Sequence, residues 1–298
     1  MQRIAYGELK GYLRIQGIET SLRSSKLLTI QELVRRLDAN SVISNFALGK
    51  YRNALIVNAT RTVVRAKKIK ESSHHAFVDC LNEAIETIWT VKALTCLVSN
   101  TRLIKYEGDN ILHEQMLLEI WDGLMEPEKL SGIYTRQWQI IGFQGMHPET
   151  DFRGAGLLSL ECFHYLVMTY RDQSKQLLSH SQHPQYDYPL ACVLIDMTFF
   201  CYQLLSDGKA NTHFYNRCTA FRALNRELYE DLQDWQIDMR NIFYDFVAAV
   251  LIEFDQFWIT SHPRDILDYG KVKKDFHEHV FERLSQPDCF FHVKYQQI

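Results

Sequence analysis

Apolar residues recur at intervals of three and four along most of the chain after residue 72, which is the spacing of one face of an α-helix. The spacing predicts a helix capped by Ser72 or Ser73, a second helix between Asp109 and Pro127, and two more over about 156–170 and 189–205. The first two faces consist of Phe77, Leu81, Ala84, Ile85, Ile88, Val91 and Thr95, and of Leu112, Met116, Leu117, Ile120, Trp121 and Leu124.

The longest predicted helix covers about 235–260 and ends before Pro263, and one more is predicted near 276–284. Strand signals are nearly absent, because no two alternating runs are joined by a tight Asn-Gly or Asp-Gly turn. The sequence therefore predicts an all-α protein. The stripe of the longest helix consists of Met239, Phe243, Phe246, Val250, Phe254 and Phe257.

The formal net charge of −3 conceals an uneven distribution along the chain. Residues 1–70 carry 14 Lys and Arg against 4 Asp and Glu, a balance of +10, whereas the remaining residues carry 19 against 32, a balance of −13. A basic arm can bind an anionic membrane surface or an acidic partner; the alternative is an arm that is solvated or folded against the acidic body. We therefore predict a basic N-terminal extension, 1–70, followed by a single compact helical domain, 71–298.

The composition is that of a folded globular protein, with 46% hydrophobic and 23% charged residues in 298. The seven cysteines are widely spaced and include no C-x-x-C pair, which favours reduced thiols and a cytoplasmic location. No run of 18 uncharged apolar residues is present to span a bilayer. We expect at most a peripheral contact with intracellular membranes, made through residues 1–70.

Several common sites are absent from the sequence, including the P-loop, the G-x-S-x-G elbow and the H-E-x-x-H zinc motif. The nearest metal-like clusters are His277 with His279, and Cys289 with His292. Histidines two positions apart point to different sides of a helix, so they chelate one ion poorly. We expect no metal and no cofactor, and nucleic acid is not an expected partner.

The segment 137–154, hereafter the 137–154 loop, differs from the rest of the chain. It combines three glycines (Gly142, Gly145 and Gly154) and a proline with aromatic and polar side chains. Glycines permit close backbone approach, while Trp138 and Phe143 can anchor the loop to the core. Because function often resides in loops on a rigid frame, this loop is the candidate site.

Two charged side chains, Asp151 and Arg153, lie near the end of the loop. Asp151 can cap the helix that begins near Gly156. Arg153 lies beside the same helix start, where a cation gains nothing from the helix dipole. From spacing alone, either Arg153 pairs with a carboxylate of the chain (Glu149, Asp151 or Glu161) or it faces an external anion.

The loop resembles the ELMO (engulfment and cell motility) domain. The pattern consists of Trp138, Ile-Gly-Phe-Gln-Gly at 141–145, Pro148 and Thr-Asp-Phe-Arg-Gly at 150–154, and it continues to Tyr165. Upstream, Trp121 and Pro127-Glu128 also resemble the family, and downstream His183-Pro184 and 253–258 resemble the stand-alone ELMOD members specifically. The likeness covers about 109–285. His147 is a departure, because these proteins usually carry an acidic residue before the proline.

The resemblance implies an all-helical domain and one of two activities. Stand-alone ELMOD proteins are GTPase-activating proteins for GTP-bound Arf and Arl GTPases, whereas the larger ELMO scaffolds bind Dock-type exchange factors in cytoskeletal and engulfment signalling. The scaffolds carry further domains for which we expect this chain to have no room, which favours the ELMOD activity. The alternative is a non-catalytic effector or scaffold that binds a small GTPase or a Dock-type factor.

The resemblance also implies roles for individual residues. Arg153 matches the arginine that the family's GTPase activation is thought to require, and a carboxylate of the chain can still position it. Gln144 either contacts the GTPase or holds the loop, and we expect Asp151 to be a cap or a brace. The candidate GTPase-contacting or loop-supporting residues are Gln144, Asp151, Thr150, Trp138, Phe143, Gly142, Gly145 and Gly154.

Overall fold

The structure, a computed structural model, describes residues 12–39, 50–224 and 232–293. Every regular element within these ranges is helical, so the all-α prediction is confirmed. The α-helices are α1 (Tyr12–Arg23), α2 (Leu28–Ala39), α3 (Lys50–Ala66), α4 (His75–Leu103), α5 (Ile111–Met125), α6 (Leu157–Thr169), α7 (Arg171–Ser181), α8 (Leu190–Ser206), α9 (Asn211–Leu224), α10 (Leu232–Thr260) and α11 (Tyr269–Leu284). Short 3₁₀ segments cover Glu71–Ser73, Arg136–Ile141, Pro148–Gly154 and Ile266–Asp268.

The six helices predicted from periodicity are α4, α5, α6, α8, α10 and α11, and all six are present. The predicted cap of α4 is wrong, because this helix begins at His75 after a 3₁₀ turn that contains Ser72 and Ser73. Helix α5 begins after Asp109, as predicted, and its N-cap is Asn110, whose side chain accepts a hydrogen bond from Leu112 N at 3.0 Å.

The described residues form two compact units. The first contains the described parts of 1–97, 208–239 and 284–290, and the second contains those of 98–207, 240–283 and 291–298. The division predicted after residue 70 stays a prediction, and residues 1–11 and 40–49 of that extension lie outside the described residues.

The first unit has a core formed by α1 to α4. Within the predicted basic extension, Val63 and Val64 are buried and Ile69 packs against the same cluster. These side chains therefore stabilise the unit and are not available to insert into a bilayer. The buried members of the cluster are Leu22, Ile30, Ile56, Ala59, Val63, Val64, Leu81 and Ile85.

The second unit is built around α6, which packs against α5, α7 and α8. The predicted stripe of α10 supplies Phe243, Phe246, Val250 and Phe254 to this unit, all of them completely buried. No single helix of the described chain is long and apolar enough to cross a membrane. The segments Leu190–Ser206 and Asn211–Cys218 meet this criterion of length and composition only when they are taken together. Buried core helices can meet the same criterion.

Candidate functional site

The 137–154 loop belongs to the second unit and lies between α5 and α6 in the chain. It is more regular than the sequence indicated, because two 3₁₀ segments, Arg136–Ile141 and Pro148–Gly154, make up most of it. Thr135 caps the first segment by accepting a hydrogen bond from Gln137 N. The second segment packs against α8 and α6, so the loop rests on a helical frame.

The aromatic residues of the loop form part of the core. Trp138 is completely buried, and its indole Nε1 donates to Ile133 O at 2.8 Å. Its ring meets those of Trp121 and Phe143 edge to face, each at 5.6 Å between centroids. Phe143 in turn contacts the ring of Phe152 at 5.7 Å. These contacts fix both 3₁₀ segments to one apolar cluster.

Gly142 allows the loop to approach the start of α8. Its φ of +92° is left-handed, and a Cβ placed there would lie 2.2 Å from Leu190 N. Its carbonyl accepts a hydrogen bond from Cys192 N at 3.3 Å. Only glycine satisfies both the backbone conformation and the close contact.

Asp151 joins the two parts of the loop. Its Oδ2 accepts a hydrogen bond from Gln144 N at 2.8 Å, whereas its Oδ1 is buried with no hydrogen-bond partner in the described chain. The expectation that Asp151 caps the following helix is wrong, because the N-cap of α6 is Gly156 and no side chain caps that helix. Asp151 instead braces the loop across seven residues, which is the other role proposed for it.

The surface of the loop carries the polar candidates. Thr150, Gln144 and Arg153 are all exposed. The Thr150 hydroxyl donates to His147 O at 2.8 Å, and the carbonyl of Gln144 accepts from Gln139 Nε2 at 3.2 Å. A Cβ added at Gly145 or Gly154 would meet no atom of the described chain within 4 Å, so the loop does not need glycine there for packing.

Arg153 has no carboxylate partner in the described ranges. Its only hydrogen bond there runs from Nε to Thr150 O, at 2.6 Å. The three carboxylates near it in sequence have other partners: Glu149 contacts His147, Asp151 accepts from Gln144 N, and Glu161 accepts from the Tyr244 hydroxyl. The guanidinium is thus held at one nitrogen and keeps its charge at the surface.

The end of α4 also supports the loop, and sequence reasoning missed it. Arg102 Nη1 donates to Gly154 O at 3.4 Å, and Leu157 N donates to Ile104 O at 2.8 Å. Gly156, with φ of +59°, lies so close that a Cβ would be 2.2 Å from Arg102 O. About 50 residues separate these partners in the chain, so no local pattern could have revealed them.

Burial shifts two titratable groups next to the loop. The pKa of the Cys192 thiol is raised to about 11, chiefly by burial and then by the charge of Asp151, so the thiol is protonated at neutral pH. The pKa of Tyr106, which stacks on Phe152 at 6.1 Å, is raised to about 12 by burial and then by Glu149 and Glu114.

The histidine clusters have structural partners. His277 stacks on Phe200 at 3.6 Å between ring centroids, and His279 Nε2 contacts Glu253 at 2.7 Å. In the portion of the chain that the structure describes, no three His, Cys, Asp or Glu side chains are arranged to hold a metal ion. The chemistry that the loop offers is therefore one surface guanidinium on a braced backbone.

Comparison with known proteins gives one consistent family. The family model described as ELMO/CED-12 matches residues 96–273. ELMO domain-containing protein 2 of Homo sapiens is 30% identical over 280 residues, which cover 94% of this chain and 85% of the relative. ELMO domain-containing protein 1 of Mus musculus is 30% identical over 305 residues (97% and 84%), and ELMO domain-containing protein B of Dictyostelium discoideum is 26% identical over 279 residues (93% and 86%).

Proposed function

This chain belongs to the ELMO/CED-12 family, and from that membership we propose that it is a GTPase-activating protein for small GTPases of the Arf and Arl class. Its substrate complex is the GTP-bound GTPase, to which Arg153 is supplied in trans. The GTPase contributes its own Mg²⁺ and the glutamine that orients the attacking water. The chain needs no cofactor of its own for this activity.

The observation that carries the proposal is the state of the Arg153 side chain. It is exposed, it has no carboxylate partner among the described residues, and its Nε is fixed by Thr150 O. A guanidinium held in this way presents its two terminal nitrogens to an incoming anion. The 3₁₀ segment that carries it is fixed to the core through Phe152, which is buried, so part of the cost of ordering the arginine is met before binding.

The physical role of such an arginine is electrostatic. GTP hydrolysis increases negative charge on the transferring phosphoryl group and on the leaving oxygen. A planar, permanently protonated fork neutralises that charge at two points. Arginines supplied in trans to a GTPase accelerate hydrolysis about 10³–10⁵-fold, which is about 4–7 kcal/mol of barrier.

The other polar residues of the loop have supporting roles in this proposal. Asp151 fixes the turn at Gln144 relative to the segment that carries Arg153. Thr150 holds the guanidinium through its carbonyl oxygen. The Gln144 side chain is exposed and has no hydrogen bond within the described ranges, so it is available to contact the GTPase.

Single-turnover GTP hydrolysis by a panel of Arf and Arl proteins tests the proposal. We expect wild-type protein to accelerate at least one member, and Arg153→Lys to lose most of that acceleration, because lysine keeps the charge but not the fork. The matched control is Arg171→Lys, the same exchange at an exposed arginine on α7. Near-full activity of Arg153→Lys would exclude a mechanism in which Arg153 is the arginine supplied in trans.

Binding to different nucleotide states separates this function from that of an effector or scaffold. An activator that acts on the transition state binds the GTPase most tightly with GDP and aluminium fluoride. An effector binds the complex with a GTP analogue at least as tightly and does not accelerate hydrolysis. Equal affinity for the two complexes, without acceleration, would assign the protein to the effector class.

We also propose that the basic surface of the first unit contacts anionic membranes peripherally, near the membrane-bound GTPases of this class. Deleting 1–70 is a poor test, since Val63 and Val64 belong to the core. A better test compares the liposome binding of two variants, each with four Lys or Arg residues replaced by Gln. One variant changes the basic surface of the first unit, and the other is a control with the same change in charge. Equal binding by the two variants would contradict the membrane contact. The two sets are Arg61, Arg65, Lys68 and Lys70, and Lys129, Lys175, Lys271 and Lys274, all of them exposed.

A further inference from the structure

Two large apolar side chains are exposed at the end of α4. Leu103 is 70% exposed and Ile104 is 47% exposed. They are consecutive residues: Leu103 is the last residue of α4, and Ile104 follows it directly. Single exposed apolar residues are ordinary on a protein surface, but an adjacent pair next to a candidate site favours a contact surface.

The backbone ties this pair to the segment that carries Arg153. The Ile104 carbonyl accepts a hydrogen bond from Leu157 N at 2.8 Å. Gly156 packs directly on the carbonyls of Arg102 and Ile104, since a Cβ there would lie 2.2 and 2.6 Å from these oxygens. The surface formed by residues 102–105, hereafter the α4-end surface, is thus fixed beside the 137–154 loop.

The charge of the α4-end surface is positive and is not neutralised locally. The Arg102 guanidinium lies 4.7 Å from the centroid of the Tyr202 ring and donates to Gly154 O, and its Nε is buried without an acceptor. Lys105 is exposed. As far as the structure describes the chain, Arg102, Lys105 and Arg153 form no ion pair with a carboxylate.

We propose that the α4-end surface binds the GTP-bound small GTPase beside its nucleotide, while Arg153 acts on the reaction. Three cations without carboxylate partners complement a partner that carries the phosphates of GTP, and Leu103 and Ile104 supply the apolar contact that excludes water around them. The inference rests on the proposed function for the identity of the partner. It adds that binding and catalysis are carried by different residues.

The division of roles predicts different kinetic effects for two variants. Replacing Leu103 by aspartate places a negative charge on the surface, which should raise the Kd for the GTP-bound GTPase about tenfold or more. The single-turnover rate at saturating protein should stay within about twofold, because Arg153 and its loop are unchanged. Arg153→Lys should do the reverse, lowering the saturated rate while Kd changes little.

The experiment measures the Kd of each Arf and Arl protein, loaded with a non-hydrolysable GTP analogue, for the full chain and its variants. The matched control is Leu267→Asp, the same exchange at a leucine that is 86% exposed and lies in the 3₁₀ segment Ile266–Asp268 of the second unit. Thermal unfolding checks that both variants fold, and Leu103→Ser, without the added charge, should weaken binding in the same direction.

The outcomes separate the two proposals. Binding that is weakened by Leu103→Asp but not by Leu267→Asp supports the α4-end surface, even if no GTPase is accelerated and the proposed function fails. If Leu103→Asp and Leu267→Asp both retain the acceleration with an unchanged Kd, the proposed role of the α4-end surface is overturned and the proposed function is left intact. If the wild-type chain binds no member of the panel, the proposed role of the α4-end surface is also overturned.

Discussion

Gly142 and Leu190 are in such close contact that a Cβ on the glycine would lie 2.2 Å from the backbone nitrogen of the leucine. The left-handed φ of +92° at Gly142 ends the first 3₁₀ segment and turns the chain against the start of α8. The close approach of the first 3₁₀ segment to α8 therefore depends on one residue without a side chain.

Gly142→Ala should destabilise the protein by at least about 2 kcal/mol, because an L-residue is strained at this φ and its methyl group would overlap the backbone of α8. Gly145→Ala is the matched control within the same motif. Nothing lies within 4 Å of its Cβ position, so we expect a change below about 0.5 kcal/mol. Urea unfolding measures both, and equal losses would show that the contact at Gly142 does not hold.

Asp151→Ala should lower the single-turnover rate of the proposed reaction about tenfold or more, since it leaves Gln144 N without its acceptor and frees the turn from the segment of Arg153. Asp151→Asn keeps an oxygen at the same place and should retain most of the rate. Thermal unfolding of both variants is the control for folding. Equal rates for Ala and wild type would remove Asp151 from the positioning of Arg153.

Trp138→Ala should cost about 3–5 kcal/mol of stability, because it empties a completely buried site between Trp121 and Phe143. Trp138→Phe should cost less, about 1–3 kcal/mol, chiefly because Ile133 O loses the indole donor. Leu267→Ala, at an exposed position, is the control and should stay within about 0.5 kcal/mol. Denaturant unfolding gives all three values, and a small loss for Trp138→Ala would contradict the anchoring role.

Tyr106 should make stability fall at high pH. The pKa of its hydroxyl is about 12 in the folded protein and near 10 in the unfolded chain. The contribution of Tyr106 to the free energy of unfolding is therefore fully present below pH 10 and is lost as the pH rises towards 12. Tyr106→Phe removes this ionisation and should flatten the dependence in that range. The free energy of unfolding, measured between pH 9 and 12 for both proteins, tests the expectation, and parallel curves would refute it.

The long apolar helices were predictable from sequence, and α10 shows why. Phe243, Phe246, Val250 and Phe254 repeat at steps of three and four and face the core together, so the period alone identifies the element. Helix α7 was missed because its sequence, RDQSKQLLSHS, buries only Ser174, Leu177, Leu178 and Ser181. Helices α1 to α3 were missed because the surplus of basic residues over 1–70 indicated an arm.

The site was predictable as a segment but not as an arrangement. Trp138, Gly142 and Arg153 were identified from residue type and from family resemblance, and the structure places the first two in the core and the third at the surface. The contacts of Gly154 and Gly156 with Arg102 and Ile104 depend on how distant helices pack. Such contacts follow from the tertiary structure and are not predicted by local sequence patterns.

The hydrogen bond from Gln144 to Asp151 makes one amide of the loop distinguishable by its deuterium uptake. The N–H belongs to an exposed residue, yet its proton is held by a carboxylate at 2.8 Å. Because exchange with solvent requires that bond to open, the uptake rate at Gln144 reports the fraction of time for which the turn is separated from the segment that carries Arg153. That single amide therefore reports the opening equilibrium of the loop, both in the free protein and in any complex that it forms.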